Sequence, residues 1–146
     1  MKRFVVSIAA FAALSCGSSE EKREFTECGP ITGGFQVTER LESGTCPLST
    51  DPFTINVAAK ADQTADVEFA DFGIQCSGAA VNGCTIKGNC AIRAGMPPVV
   101  TGNVSVDLTI QPAGIQGSYS VTLNPGAVAD VPDGCTGRFT VTGTRR

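Results

Sequence analysis

Histidine and tryptophan are absent from this chain, and tyrosine occurs once, at Tyr119. Without histidine the sequence excludes a Ser-His-Asp triad, a Cys-His nucleophile and a zinc site that mixes cysteine with histidine. Lysine and arginine are outnumbered, 11 against 14 acidic residues, and no run of them occurs in the body of the chain. Because nucleic-acid binding depends on clustered positive charge, we expect no nucleic-acid partner.

Glycine and proline, by contrast, are frequent. The chain has 146 residues, of which 17 are glycine and 8 are proline, spaced at short intervals. This composition is typical of many short strands joined by turns. The length allows one domain with one modest core.

The N-terminal segment reads as a targeting signal. A positive start at Lys2 and Arg3 precedes an apolar run from Phe4 to Leu14, and the run closes on Ser15 and Cys16. As a helix the run would rise only about 16 Å, whereas a bilayer core is about 30 Å thick. We therefore expect a signal that is removed after export, not a permanent transmembrane span.

The sequence Ala13-Leu14-Ser15-Cys16 resembles the lipobox of bacterial lipoproteins. The resemblance implies that residues 1–15 are the signal peptide and that Cys16 becomes an acylated N-terminus, so that its lipid attaches the protein to a membrane. Gly17 and Ser18 resemble the residues that direct lipoproteins of enteric-type Gram-negative bacteria to the outer membrane. The alternative is an ordinary secretory signal, with Cys16 discarded or left free.

Two further segments follow the predicted signal peptide. Residues 16–27 are mostly polar and lack periodicity, which predicts a lipidated flexible tether. Residues 28–146 form the predicted domain. This organisation predicts that the protein is located in the cell envelope.

Seven cysteines are too many for a typical protein of a reducing compartment, and all but Cys16 lie in the domain. If Cys16 carries lipid, the even remainder can close up to three disulfides; these residues are Cys28, Cys46, Cys76, Cys84, Cys90 and Cys135. No C-x-x-C pair occurs, so structural disulfides are favoured over a metal or redox site, and we expect no metal and no cofactor.

Spacing alone leaves the disulfide pairing open. Cys84 and Cys90 cannot pair if the chain between them is one extended strand, because six residue steps exceed disulfide reach. Cys76 with Cys90 is possible, though not ideal in the register predicted below. Cys135 must reach back over a long loop.

Apolar and polar residues alternate along most of the domain, as expected for half-buried strands, and no stretch keeps a helical period. Seven to eight short strands predict an all-β fold, an antiparallel β-sandwich or, as the alternative, a small β-barrel, stapled by disulfides. The alternating segments are 35–41 (including Glu39), 53–57, 67–69, 72–76, 84–92, 104–110, 119–123 and 139–141.

Two hairpins can be given a register. A turn over Gln111–Gly114 places Leu108 opposite Gly117, Val106 opposite Tyr119 and Val104 opposite Val121, with every apolar residue on one face.

A three-residue loop at 81–83, with positive φ at Gly83, places Phe72 opposite Ile92, Ile74 opposite Cys90 and Ala80 opposite Cys84. The residues predicted to point inward are odd-numbered up to Phe69 and even-numbered from Phe72. This change predicts a bulge or corner near Ala70 and Asp71.

Carboxylates are the one remaining source of catalytic or metal-binding groups. Asp66 and Glu68 share a strand face, with Asp62 and Asp71 nearby, and Asp130 and Asp133 share a loop. Neither group has a calcium-loop spacing, and the face opposite Val67 and Phe69 is predicted to be wet. Lys60 and Lys87 are isolated, so solvated surface charge is expected throughout. We predict no catalytic residue and no enzyme activity.

Four functions are consistent with these features. A non-catalytic binding or adhesion module of the envelope, with a protein or glycan ligand, is favoured because strand edges and loops suit such contacts. A structural subunit of an envelope assembly is the alternative. A barrel with an apolar cavity would instead favour a lipid carrier. A carboxylate-dependent hydrolase would need Asp66, Glu68 or Asp71 to converge in a concave pocket.

Overall fold

The structure, a computed structural model, describes residues 25–94, 99–127 and 131–146. The leader, Cys16, most of the predicted tether and Asp130 lie outside these ranges. The last residues of the predicted tether overlap a single helical turn, α1 (Phe25–Cys28). No helix in the described ranges is both long enough and apolar enough to span a bilayer.

Eight antiparallel strands follow α1, each pairing with the next, and the last pairs with the first. The barrel is therefore closed. The strands are β1 (Gly33–Gly44), β2 (Phe53–Ala59), β3 (Thr64–Phe69), β4 (Ile74–Asn82), β5 (Thr85–Ala94), β6 (Val99–Gln111), β7 (Gly114–Leu123) and β8 (Cys135–Arg145). The all-β antiparallel fold stapled by disulfides is confirmed, and of the two predicted architectures the structure has the barrel, the less favoured one.

Closure depends on β1, which is long enough to pair on both sides. Its first residues, from Gly33 to Val37, pair with β2, while Phe35 to Gly44 pair with β8. In a closed ring every strand has a neighbour on both sides, whereas a sandwich would have edge strands.

The two ends of the barrel differ in their connections. At the closed end, β2–β3, β4–β5 and β6–β7 are joined by the short segments 60–63, 83–84 and 112–113. At the open end, β1–β2 and β7–β8 are joined by the longer segments 45–52 and 124–134, and β3–β4 by a 3-10 helix (Ala70–Phe72). Because the connections at the open end are long, that end of the barrel need not be filled by a packed core.

The closed end is filled and sealed. Large buried side chains occupy its interior, among them Phe35, Ile55, Ile86, Leu108, Ile110 and Ile115. The Arg145 guanidinium lies 4.7 Å from the centre of the Phe35 ring and donates hydrogen bonds to the carbonyls of Pro30 and Thr32. The segment after α1 and the Arg145 side chain therefore cover the closed end of the barrel.

The β6–β7 hairpin has the predicted register. Leu108 faces Gly117, Val106 faces Tyr119 and Val104 faces Val121, with Gln111 opposite Gly114 at the turn. The apolar residues of these three pairs are buried, which confirms the single apolar face.

The predicted register of the β4–β5 hairpin is wrong. Ala80 faces Lys87, and Asn82 faces Thr85, so the turn is formed by Gly83 and Cys84 alone. Gly83 has the predicted positive φ, 56°. The face-matching argument failed because Cys84 lies in the turn, where it is bonded to Cys28. In addition, Gly78, with φ of 74°, lies where the pairing of β4 with β3 shifts by one residue.

The predicted corner at Ala70 and Asp71 is present as the 3-10 helix that ends at Gly73, which has φ of 63°. Phe72 lies in this helix and not in the strand predicted for it. Its ring is exposed and meets the ring of Phe53 edge-on at 5.0 Å.

All six described cysteines are paired. Cys28–Cys84 fastens the N-terminal segment to the closed end, Cys46–Cys135 joins the β1–β2 loop to β8 at the open end, and Cys76–Cys90 joins β4 to β5. The pair Cys84–Cys90, excluded by reach, is absent, and Cys135 does reach back over a long loop. The first two bonds therefore attach segments outside the strands to the barrel, and the third links two neighbouring strands.

We predict that the three disulfides contribute unequally to the free energy of unfolding. In the chain-entropy model, Cys46–Cys135, with a sequence separation of 89, contributes about 4.5 kcal/mol. Cys76–Cys90, with a separation of 14, contributes about 3 kcal/mol. Urea unfolding of the paired Cys→Ser variants measures both losses. Equal losses would show that native-state packing, not loop closure, determines the contributions.

Candidate functional site

A cavity of about 500 Å³ opens at the open end of the barrel. We call it the mouth cavity. Its walls are mostly apolar and come from seven strands, the 3-10 helix and both long loops. The lining residues used below are Glu39, Leu48, Phe69, Phe72, Ile92, Arg93, Val104, Tyr119, Val121, Leu123 and Phe139. Its volume lies within the range of about 300 to 1,000 Å³ that is usual for small-molecule sites.

The cavity exists because inward side chains become smaller toward the open end. Along β6 the inward series from closed to open end is Ile110, Leu108, Val106, Val104 and Gly102, all buried. On β8 the inward position between Cys135 and Phe139 is Gly137, and the Phe139 ring occupies the space beside this glycine, so Gly137 admits the ring and does not itself open the cavity. An eight-stranded barrel has an interior that side chains just fill, so small ones leave space for a ligand.

A polar pair lies in the wall of this cavity. The Tyr119 hydroxyl donates a short hydrogen bond to Oε2 of Glu39, and the Ser49 backbone N–H donates to Oε1 over 2.7 Å. Glu39 occupies an inward position on β1, between Val37 and Leu41. Both of its oxygens therefore have a partner, as a carboxylate in a partly buried site requires.

The same pair fixes the β1–β2 loop over the cavity. Ser49 attaches the loop to Glu39, the Cys46–Cys135 disulfide attaches it to β8, and the N–H groups of Thr45 and Cys46 donate to the Thr136 carbonyl. The cavity wall formed by this loop is thus held at two separate points.

Tyr119 is held in its protonated form. Burial raises the pKa of the Tyr119 phenol well above its ordinary value, and the hydrogen bond to Glu39 and the charge of Glu39 raise it further. Its side chain is only 8% exposed. A phenol in this setting serves as a fixed hydrogen-bond donor and not as a base.

Aromatic rings surround Tyr119 and form the cavity floor. The Tyr119 ring stacks on Phe139 at 4.9 Å and meets Phe69 at 5.0 Å, and Phe69 lies 6.4 Å from Phe53. Such pairs contribute about 0.5–1.5 kcal/mol beyond the burial of their area. The floor is thus rigid, and it separates the cavity from the filled closed half.

The rim carries two exposed apolar side chains. Leu48 in the β1–β2 loop is 44% exposed and Phe72 is 46% exposed, and among the described residues they are the large apolar side chains left most open to water. Both line the mouth cavity. Apolar surface concentrated at one opening marks a site of contact with an apolar partner.

A second depression, which we call the side groove, adjoins the mouth cavity between β4 and β5. It is lined by Gly73, Gln75, Ser77, Asn89, Cys90, Ala91, Ile92 and Arg93. Gly73, Ile92 and Arg93 line the mouth cavity as well, so the two spaces meet there. The groove walls are more polar than those of the cavity.

The carboxylates considered for catalysis or calcium lie on the outer surface. Asp66 accepts from Lys60 over 2.8 Å and from the Gly78 N–H, Asn56 donates to Glu68, and the Thr54 N–H donates to Asp71. The bond from Lys60 holds the pKa of Asp66 below its usual value. None of the three carboxylates lines the mouth cavity or the side groove.

Both isolated lysines lie on the surface in ion pairs, Lys60 with Asp66 and Lys87 with Asp107. Exposed pairs of this kind contribute little to stability. The carboxylate of Asp62 accepts hydrogen bonds from the hydroxyl and the N–H of Thr64. These bonds lower the pKa of Asp62. Within the described ranges no group of three or more metal-binding side chains occurs.

Sequence reasoning did not identify Glu39, Tyr119 or Arg93 as site residues. A signal for Glu39 was present, because it interrupts an otherwise apolar face of β1. Nothing in the local pattern marks Arg93, whose role depends on the meeting of β4, β5 and the 3-10 helix. No protein-family model and no curated protein matches the chain.

We predict that the phenol of Tyr119 does not ionise while the protein is folded. Folding favours the protonated form, so above about pH 10, where exposed tyrosine titrates, the folded chain binds more protons than the unfolded chain. The free energy of unfolding therefore falls as the pH rises above that value and is unaffected by Tyr119 below it. Because Tyr119 is the only tyrosine, phenolate absorbance measures its ionisation directly and should rise together with unfolding.

A Tyr119→Phe/Phe72→Tyr variant is the matched control, since it moves the phenol to an exposed position. Its absorbance should rise near the ordinary tyrosine pKa in folded protein. Ionisation of Tyr119 near pH 10 in folded wild-type protein would contradict the assignment of the buried pair.

Proposed function

We propose that the protein is a lipid-anchored envelope protein whose barrel binds one small, largely apolar ligand in the mouth cavity. The observation that carries the proposal is the cavity itself, about 500 Å³ with a rigid aromatic floor and mostly apolar walls. Transfer of apolar ligand surface from water into such a space contributes about 25 cal/mol per Å². The site is a preformed place for one ligand molecule.

The polar groups in the cavity wall support a largely apolar ligand, because they already bond to one another. Tyr119 and Glu39 are bonded to each other and to Ser49, so little of their hydrogen-bonding capacity is left for a ligand. The rim, with Leu48 and Phe72, offers apolar surface to a ligand as it enters. These features favour a lipid-like ligand over a glycan, which needs many free donors and acceptors.

Three disulfides support export to an oxidising compartment. The described chain starts at the closed end, where Cys28 is bonded to Cys84 and Arg145 bonds to Pro30. A lipid on Cys16 would therefore be joined to the barrel at its closed end, opposite the mouth cavity.

We predict that Leu123→Trp abolishes binding of a neutral apolar dye. Leu123 lines the cavity, so a larger side chain there fills the space that the ligand needs. Titration of phenylnaphthylamine should give one site in the wild-type barrel and at least about tenfold weaker binding in the variant, a loss of about 1.4 kcal/mol.

Thr122→Trp is the matched control, because Thr122 is the neighbouring residue on β7 and is exposed. It should bind the dye as the wild type does. Equal binding by all three proteins would place the dye outside the cavity and would remove support for a ligand site. Circular dichroism and urea unfolding verify that both variants are folded.

We predict that the intact mass of the full chain, extracted from the membranes of a Gram-negative host, matches residues 16–146 plus acyl groups. Its six domain thiols should react only after reduction. Cys16→Ser should lack the acyl mass and should leave the membrane fraction, since lipid chains provide the anchor. An unacylated mass for the wild-type chain would contradict the anchor but not the ligand site.

A further inference from the structure

We infer that the ligand is an anionic amphiphile, a single aliphatic chain whose acid group is bound by Arg93 at the junction of the mouth cavity and the side groove. The inference rests on the proposed function and adds the chemical class of the ligand. It depends on how the barrel wall opens beside Arg93 and on which charges face the cavity.

Strands β4 and β5 are paired along only part of their length. The two strands pair from Ala80 to Asn82, the three residues nearest the turn. Closer to the open end, β4 pairs with β3 and β5 pairs with β6. There the Cys76–Cys90 disulfide, with Cα atoms 5.1 Å apart, joins the two strands. Beyond the disulfide the side groove opens between them.

The side groove is suited to a polar head group. Gln75, Ser77 and Asn89 line it and are exposed. The mouth cavity, by contrast, offers Val104, Val121 and Leu123 to an aliphatic chain. A molecule that crosses the shared boundary at Ile92 and Arg93 therefore places its chain in apolar and its head in polar surroundings.

Arg93 is the cation at that boundary. It is exposed, lines both spaces and, among the described residues, has no ion-pair partner. Lys60, Lys87 and Arg138 each pair with a carboxylate on the outer surface. Arg145 is engaged at the closed end, over the Phe35 ring and on the carbonyls of Pro30 and Thr32. A guanidinium binds a carboxylate or phosphate through two parallel hydrogen bonds.

Glu39 orients the ligand from the opposite wall. β1 and β5 are four strands apart in either direction around the ring, so Glu39 and Arg93 belong to opposite walls of the barrel. Both oxygens of Glu39 already accept hydrogen bonds. Its negative charge repels an acid group, which is therefore directed to Arg93.

The test compares ligands that differ only in their head group. Dodecanoate, methyl dodecanoate and dodecylamine are titrated, by displacement of phenylnaphthylamine and by calorimetry, into wild-type protein and into Arg93→Gln. Arg40→Gln is the matched control, because Arg40 is also exposed and, although it follows Glu39 in β1, it lines neither space.

We expect wild type and Arg40→Gln to bind dodecanoate more tightly than the ester or the amine. Arg93→Gln should lose about fivefold in dodecanoate affinity, as for a partly exposed ion pair, with ester binding unchanged. The acid preference should also weaken with added salt.

Equal binding of acid and ester by the wild type, tighter binding of the amine, or an unchanged acid preference in Arg93→Gln would overturn the inference. If Leu123→Trp still abolished binding in those cases, the ligand site would stand without the assigned head group. If no ligand bound and Leu123→Trp changed nothing, the proposed function itself would fail.

Discussion

The pairing of β1 with β8 is the constraint on which the other features depend. It converts a meander of hairpins into a closed ring, and once the number of strands is set, the width of the interior is set as well. Inward residues then either fill the space or leave a cavity. The single core, the sealed end and the mouth cavity are all consequences of how side-chain size varies along that fixed interior.

The two ends of the barrel differ, because one is closed and the other is open. Short turns, the Arg145 side chain and the Cys28–Cys84 disulfide close one end. At the other end long loops, small inward residues and the exposed Leu48 and Phe72 leave an apolar opening. The described chain enters at the closed end, where Cys28 is bonded to Cys84, so the N-terminal segment joins the barrel at the end opposite the mouth cavity.

Polar groups inside a barrel are costly unless they are bonded, and this barrel bonds them across separate strands. Tyr119 on β7 and Glu39 on β1 meet over Phe139 of β8, and Glu39 also holds Ser49 of the loop above. The contact gives the cavity one fixed wall. The β4–β5 side, where a disulfide replaces part of the strand pairing, is the less regular wall, and there Arg93 joins the cavity to the polar groove.

The sequence alone determined what is local. Alternation predicted the strands, the β6–β7 register followed from keeping Val104, Val106 and Leu108 on one face, and the even set of domain cysteines predicted three disulfides. Alternation is the same in a sandwich and in a barrel, so closure, the β4–β5 register and the exposure of Phe72 were decided only by tertiary structure. The cavity was decided there too, because Glu39, Arg93 and Tyr119 are distant in sequence and only closure of the ring brings them around one space.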